Sequence, residues 1–154
     1  MDKKRGFEIA KGFEDKNINL PIRKTKYSAG YDIEAAEDTV VPVFKEGVAP
    51  TLVKTGLKAY MEEDEVLFLY NRSSNPKKKG LIIPNSVGVI DKDYYGNPDN
   101  DGHFMFTFYN VSDVPVTIKK GEAIGQAIFS KYLITDDDNA EGERIGGFGS
   151  TDNK

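Results

Sequence analysis

Apolar and polar residues alternate along this chain in short runs with a period of two. Tyr31-Asp32-Ile33-Glu34-Ala35 places every second residue on one face of an extended strand. Phe104, Phe106 and Phe108 fall on one side of another such segment, with Met105, Thr107 and Tyr109 on the other. Val66 to Tyr70 is continuously apolar, which fits a strand covered on both faces. Val114, Val116 and Ile118 alternate with Pro115 and Thr117, and the proline marks an edge or a strand end. Ala123 to Ile134 supplies one more apolar-rich strand. Gly, Pro, Asn and Asp break these runs at short intervals. No segment carries a long helical stripe. The acidic stretch Glu62-Glu63-Asp64-Glu65 interrupts the best candidate, residues 57–70, and reads as a hairpin tip. The pattern predicts an all-β sandwich or jelly roll.

Composition narrows the class. A chain of 154 residues suits one domain with a real core. Its 21 basic and 25 acidic side chains give a net charge of -4, which argues against general or direct nucleic-acid binding. No apolar run approaches the ~20 residues of a membrane span, and the charged start is not a secretory signal. The absence of cysteine removes disulfides, thiol catalysis and cysteine-built zinc sites, and fits a cytoplasmic protein. With His103 the single histidine, a multi-histidine metal site is excluded; that residue reads as a solvated loop position. After Ile134 the chain turns acidic and then glycine-rich. Residues 1–135 therefore read as one β domain, and 136–154 as a flexible linker and C-terminal arm.

Chemistry concentrates in five segments. Residues 85–97 read NSVGVIDKDYYGN: an apolar strand delivers Asp91 into a turn ending at Gly96, with Tyr94 three residues later and Asn85 six residues earlier. An acid can orient water, a ring can cover a sugar and an amide can read a base edge. In NRSSNPKKKG, Arg72 offers a donor fork for phosphate, Ser73 and Ser74 add hydroxyls or cap a short helix, and Lys77 to Lys79 read as a solvated face. Gly146, Gly147 and Gly149 permit backbone approach to phosphate beside Ser150 and Thr151. Asp32 of AGYDIEAA and Gln126 of GEAIGQAIF can hold waters around a Mg²⁺ ion carried by a polyphosphate. Phosphoryl transfer is dominated by positioning and charge neutralisation, so a site without cysteine and nearly without histidine is adequate.

In order, these five segments resemble the five motifs of the trimeric all-β dUTP pyrophosphatases (dUTPases), over residues 29–151. The resemblance implies a distorted jelly-roll homotrimer with active sites shared between subunits. It implies Mg²⁺-dependent hydrolysis of dUTP to dUMP and pyrophosphate, which limits uracil in DNA and supplies dUMP for thymidylate synthesis. It assigns Asp91 to the water that attacks the α-phosphorus and to the sugar 3′-hydroxyl, Tyr94 to the deoxyribose and Asn85 to the uracil hairpin. Arg72, Ser73, Ser74 and Gln126 fall on the phosphate side, and Asp32 acts on the metal through water. Arg144 would contact the γ-phosphate, Phe148 would cover the uracil, and Gly149, Ser150 and Thr151 would wrap the phosphates. The chain departs from the family pattern at Ala123, at Asp152, in a fifth motif one residue short between Arg144 and Phe148, and in the long turn NPDNDGH.

Two other readings compete. A dCTP deaminase of the same fold shares the RSS element, but needs a glutamate on the strand after the third motif, where HFMFTFYN has no acid. A nucleotide-sensing regulator with a protein partner would use the NPDNDGH turn as contact surface.

Overall fold

The structure is a computed structural model that describes residues 2–147. Among the described residues there are ten strands: β1 (Gly6–Ile9), β2 (Tyr31–Glu34), β3 (Thr39–Val41), β4 (Thr51–Tyr60), β5 (Glu65–Asn71), β6 (Leu81–Ile82), β7 (Gly88–Ile90), β8 (Phe104–Asn110), β9 (Val116–Ile118) and β10 (Ala123–Lys131). One short helix, α1 (Asn75–Lys79), and one 3₁₀ turn, Lys92–Tyr94, interrupt them. One sheet runs β1-β4-β8-β6, a second runs β2-β10-β5-β7, and β3 pairs with β9. Every named strand pair is antiparallel. This is the all-β jelly-roll architecture that the alternation predicts.

The alternation sets the core. Along β8 the residues are buried and half-buried in turn, so Phe104, Phe106 and Phe108 all point inward. They meet Val53 and Leu57 of β4, and Ile33, Leu67, Leu69 and Ile124 of the opposite sheet. Each such large apolar side chain contributes roughly 1.5–3 kcal/mol by leaving water.

Three expectations need correction. The acidic stretch at 62–65 is a turn, closed by Glu65 N donating to Glu62 O, but not a hairpin tip. β4 and β5 lie in different sheets, so the chain crosses the sandwich there. Glu65 makes the crossing possible: its carboxylate is buried, takes the Arg5 Nε–H at 2.7 Å and accepts the Glu62 N–H at 2.9 Å. The last long strand stops at Lys131, and Leu133 and Ile134 are exposed beyond it. His103 is not solvated. It sits at a bulge where the β4–β8 register slips between Lys54 and Leu57. Its Nε2 accepts the Gly56 N–H at 2.9 Å and its ring packs on Phe13, 4.7 Å between centroids. Burial, with a smaller contribution from the Lys54 charge, lowers its pKa to about 4.

Candidate active site

Among the described residues β7 pairs only with β5, with Ile90 opposite Leu67 and Gly88 opposite Leu69. Gly88 sits close against β5: a Cβ there would stand 3.0 Å from the Leu69 Cβ, a tight contact. The strand then hands Asp91 to the 3₁₀ turn as its N-cap, in extended conformation at φ -77° and ψ 156°. The turn closes through Tyr94 N donating to Asp91 O at 3.1 Å.

A cavity of about 210 Å³ opens here, with Asn85, Asp91 and Tyr94 together in its lining. Leu69, Ile90 and Phe106 give it an apolar floor. Ligand clefts usually span ~300–1,000 Å³, so this one suits part of a ligand rather than a whole nucleoside triphosphate. Asn85 sits on a turn rather than a strand, held by Ser86 N to Ile83 O and Val87 N to its own carbonyl, and its side chain is exposed. Tyr94 is buried, and desolvation raises its phenol pKa against the opposing effects of Asn100 and Arg144.

Arg144 reaches into the same cavity. Its Nη2 donates to Asp91 Oδ2 at 2.7 Å and its Nε to Asp93 Oδ1 at 2.8 Å. The guanidinium stands over the Tyr94 ring, 5.8 Å from its centroid. Only 10% of the Arg144 side chain is exposed, against 53% for Asp91 and 59% for Asp93. Asp93 was missed by sequence reasoning; its position two residues after Asp91 was the available signal. Gly147 also lines the cavity, and its N–H donates to Asp99 Oδ2 at 3.3 Å. Phe148, Gly149, Ser150 and Thr151 lie outside the described residues.

The other site candidates gather elsewhere. Gln126 pairs with Asp32 across β10–β2 and with Tyr70 across β10–β5. Its side chain lies over Gly30, where any Cβ would stand 2.3 Å from Oε1. Arg72 follows β5 directly and donates from Nη1 to Ala123 O at 3.1 Å. Ser73 and Ser74 lead into α1, with Ser74 at the N-cap position and no side-chain cap bond. Buried Asn75 ties this corner together, donating to Asn71 Oδ1 at 2.8 Å and Ile124 O at 2.9 Å. Lys79 is not merely solvated: it pairs with Glu122. None of Asp32, Arg72, Ser73, Ser74 and Gln126 lines the Asp91 cavity. The β5–β7 register puts Asp91 beyond Ile90, level with Val66, while Arg72 follows the far end of β5. At ~3.3 Å per residue that is roughly 20 Å along one strand.

The donor set bears on Mg²⁺. Among the described residues no group of three or more His, Cys, Asp or Glu side chains could cage a metal. Asp32 is half-buried with one cation, Lys24, at 3.7 Å. A lone carboxylate beside an amide suits an ion held chiefly by phosphate oxygens and water.

The chain is similar to known proteins along nearly its whole length. The dUTPase family model matches residues 16–151. The deoxyuridine 5'-triphosphate nucleotidohydrolase of Lactococcus lactis subsp. lactis is 54% identical over 149 residues, covering 96% of this chain and 97% of its own. A crystal structure of dUTPase from Streptococcus mutans superposes with a TM-score of 0.78 at 47% identity, covering 85% of this chain and 98% of that one. A mutant dUTPase from phage phi11 of S. aureus, described as coordinating a structural Mg(II) ion, shares the fold at a TM-score of 0.69 and 20% identity, covering 91% and 98%. The deaminase reading is not favoured, since the relatives are named for dUTP hydrolysis and β8 holds no carboxylate. The chain belongs to the dUTPase family, and its reaction is the hydrolysis of dUTP.

Proposed function

We propose that the deoxyuridine part of dUTP enters the Asp91 cavity and that Asp91 holds a water in line with the α-phosphorus. The new bond joins that water oxygen to the α-phosphorus. The bond to the oxygen bridging toward the β-phosphorus breaks, and pyrophosphate leaves with dUMP left behind. An ionised carboxylate is a weak proton acceptor, so its main contribution is orientation of the nucleophile. Asn85 borders the base and the Tyr94 ring covers the sugar. Arg144 exchanges its carboxylate partners for the terminal phosphate, with Phe148, Gly149, Ser150 and Thr151 closing behind it as part of an arm over residues 136–154. The observation that carries this reading is the convergence of Asn85, Asp91 and Tyr94 on one small cavity.

The separation of Arg72, Ser73, Ser74, Gln126 and Asp32 from that cavity supports a homotrimer in which another protomer brings the phosphate side. Mg²⁺, when bound with the polyphosphate, supplies charge neutralisation, and Asp32 and Gln126 would hold its water shell. A cytoplasmic location belongs to the same proposal. Among the described residues no helix is long and apolar enough to cross a membrane.

Purified protein should release pyrophosphate from dUTP in the presence of Mg²⁺ far faster than from dTTP, dCTP or UTP. Equal turnover of all four removes the specificity. Asp91→Asn keeps the shape and loses the charge; it should cut kcat by about 10²–10⁴-fold while nucleotide binding persists. Full activity in that variant removes the mechanism.

A further inference from the structure

The long turn at residues 97–103 is hydrogen-bonded to Tyr94 at both its backbone carbonyl and its phenol. Asn97 is buried and organises the turn: its Oδ1 accepts the N–H groups of Asp99 and Asn100 at 3.0 and 3.1 Å, and its Nδ2 donates to Tyr94 O at 2.7 Å. Asp101 anchors the turn outward, accepting from Lys58 Nζ at 2.8 Å and from the Lys11 N–H at 2.9 Å. Asn100 spends its Oδ1 inside the turn, on Asn97 Nδ2 at 2.8 Å and Gly102 N at 3.1 Å. Its Nδ2 points out of the turn instead. It donates to the Tyr94 hydroxyl oxygen at 2.8 Å and reaches His103 O at 3.4 Å. The Tyr94 O–H in turn donates to that same His103 carbonyl at 2.8 Å.

The phenol is therefore gripped from both sides. Its proton and its lone pair each have a fixed partner, and both partners belong to the long turn. Excluding a single hydroxyl group needs the excluding surface held to within roughly 0.5 Å. A ring fixed only at its Cα would rock on χ1 and yield. Gly147 packs onto the same amide: a Cβ there would stand 2.9 Å from Asn100 Nδ2.

We propose that Asn100 is a positioning residue for Tyr94, fixing the ring so that the site rejects a ribose 2′-hydroxyl. The proposal rests on the reading of the cavity as the deoxyuridine site, with Tyr94 against the sugar. It assigns the added turn a role in sugar discrimination.

The test is a double-variant cycle on the full chain, measuring kcat/KM for dUTP and for UTP. Asn100→Ala should lower the dUTP-to-UTP preference about five- to tenfold, the worth of one neutral hydrogen bond, with a larger change in UTP turnover than in thermal midpoint. In a Tyr94→Phe background the same substitution should change the preference no further. Asn100→Asp retains the oxygen that holds Asn97 and Gly102 but sets an acceptor oxygen against the Tyr94 hydroxyl and the His103 carbonyl; it breaks the observed pair of partners and should also lower the preference. A preference unchanged in Asn100→Ala and Asn100→Asp, or one that falls equally in the Tyr94→Phe background, overturns the positioning role while leaving dUTP hydrolysis intact. Wild-type protein that shows no preference for dUTP over UTP overturns the cavity reading itself, and the positioning role with it.

Discussion

His103 is sealed where β4 bulges away from β8, with its Nε2 committed to the Gly56 N–H and its ring against Phe13. Protonation would remove that acceptor and bury a charge near Lys54, with Glu37 the opposing carboxylate. Its pKa falls from 6.5 to about 4 on folding, so the sign of the pH effect is fixed. Above pH 6.5 both the folded and the unfolded chain hold it neutral. Between 6.5 and about 4 the unfolded chain binds a proton that the folded chain refuses, and stability falls as pH falls. Thermal midpoints followed across that window should drop in the wild type and drop less in His103→Gln. Parallel curves for the two proteins would place the acid sensitivity elsewhere. No local pattern could announce this residue, since its partner lies 47 positions away. Asp91, Tyr94 and Asn85 were legible because a short strand and a tight turn bring them together by spacing alone. Asn100 was not, because a span of Asn, Pro, Asp and Gly looks the same whether it waves in solvent or grips a phenol.

Among elements, β10 shows how a motif glycine can serve packing rather than a ligand. Gly125 follows the register shift between Ala123 and Gly125 opposite β2. A Cβ there would stand 2.3 Å from Phe106 Cε1 and 2.8 Å from Tyr70 O. Phe106 is locked in the core and Tyr70 O is backbone of the neighbouring strand, so neither can yield cheaply. Gly125→Ala should destabilise the fold by about 1–3 kcal/mol through overpacking. At fixed protomer concentration, the urea midpoint should fall with an unchanged slope; an unmoved midpoint would mean that the strands part readily. Strand existence was legible where inward and outward residues alternate, as the buried phenylalanines of β8 display, but β1, β3, β4 and β6 were not read from the sequence. Strand partnership was not legible. Nothing in the acidic turn at 62–65 distinguishes a hairpin from a crossing between sheets; the distinction lies in the long-range partners of β4 and β5. The short helix after Arg72 was legible only as something Ser73 or Ser74 could cap: at five residues it shows no helical stripe, and it is held by Asn75 rather than by periodicity.

At the scale of the whole molecule, the two groups of site residues stand apart within one protomer. Asp91 caps the β7 end of the second sheet, while Arg72 leaves β5 at its opposite end beside Ala123. Two arrangements could still unite them around a triphosphate. Either the ligand stretches between both groups of a single chain, or threefold assembly sets the Asp91 group of one protomer against the Arg72 group of the next. The arrangements differ in what happens when two inactive variants are mixed. Asp91→Asn protomers keep Arg72, and Arg72→Ala protomers keep Asp91. In the proposed homotrimer, if each site draws both groups from one chain, every site in a mixed trimer carries one lesion and activity stays at the background of the parents. If the groups come from different chains, every mixed trimer has one of its three sites with both groups intact, about one third. Co-expression with two tags, followed by sequential affinity purification of mixed trimers, makes the comparison direct. The shared-site arrangement requires pyrophosphate release well above either parent, approaching that fraction of wild type per site. Mixed trimers no more active than their parents would confine the chemistry to a single protomer and leave the distance along β5 to be spanned by the nucleotide.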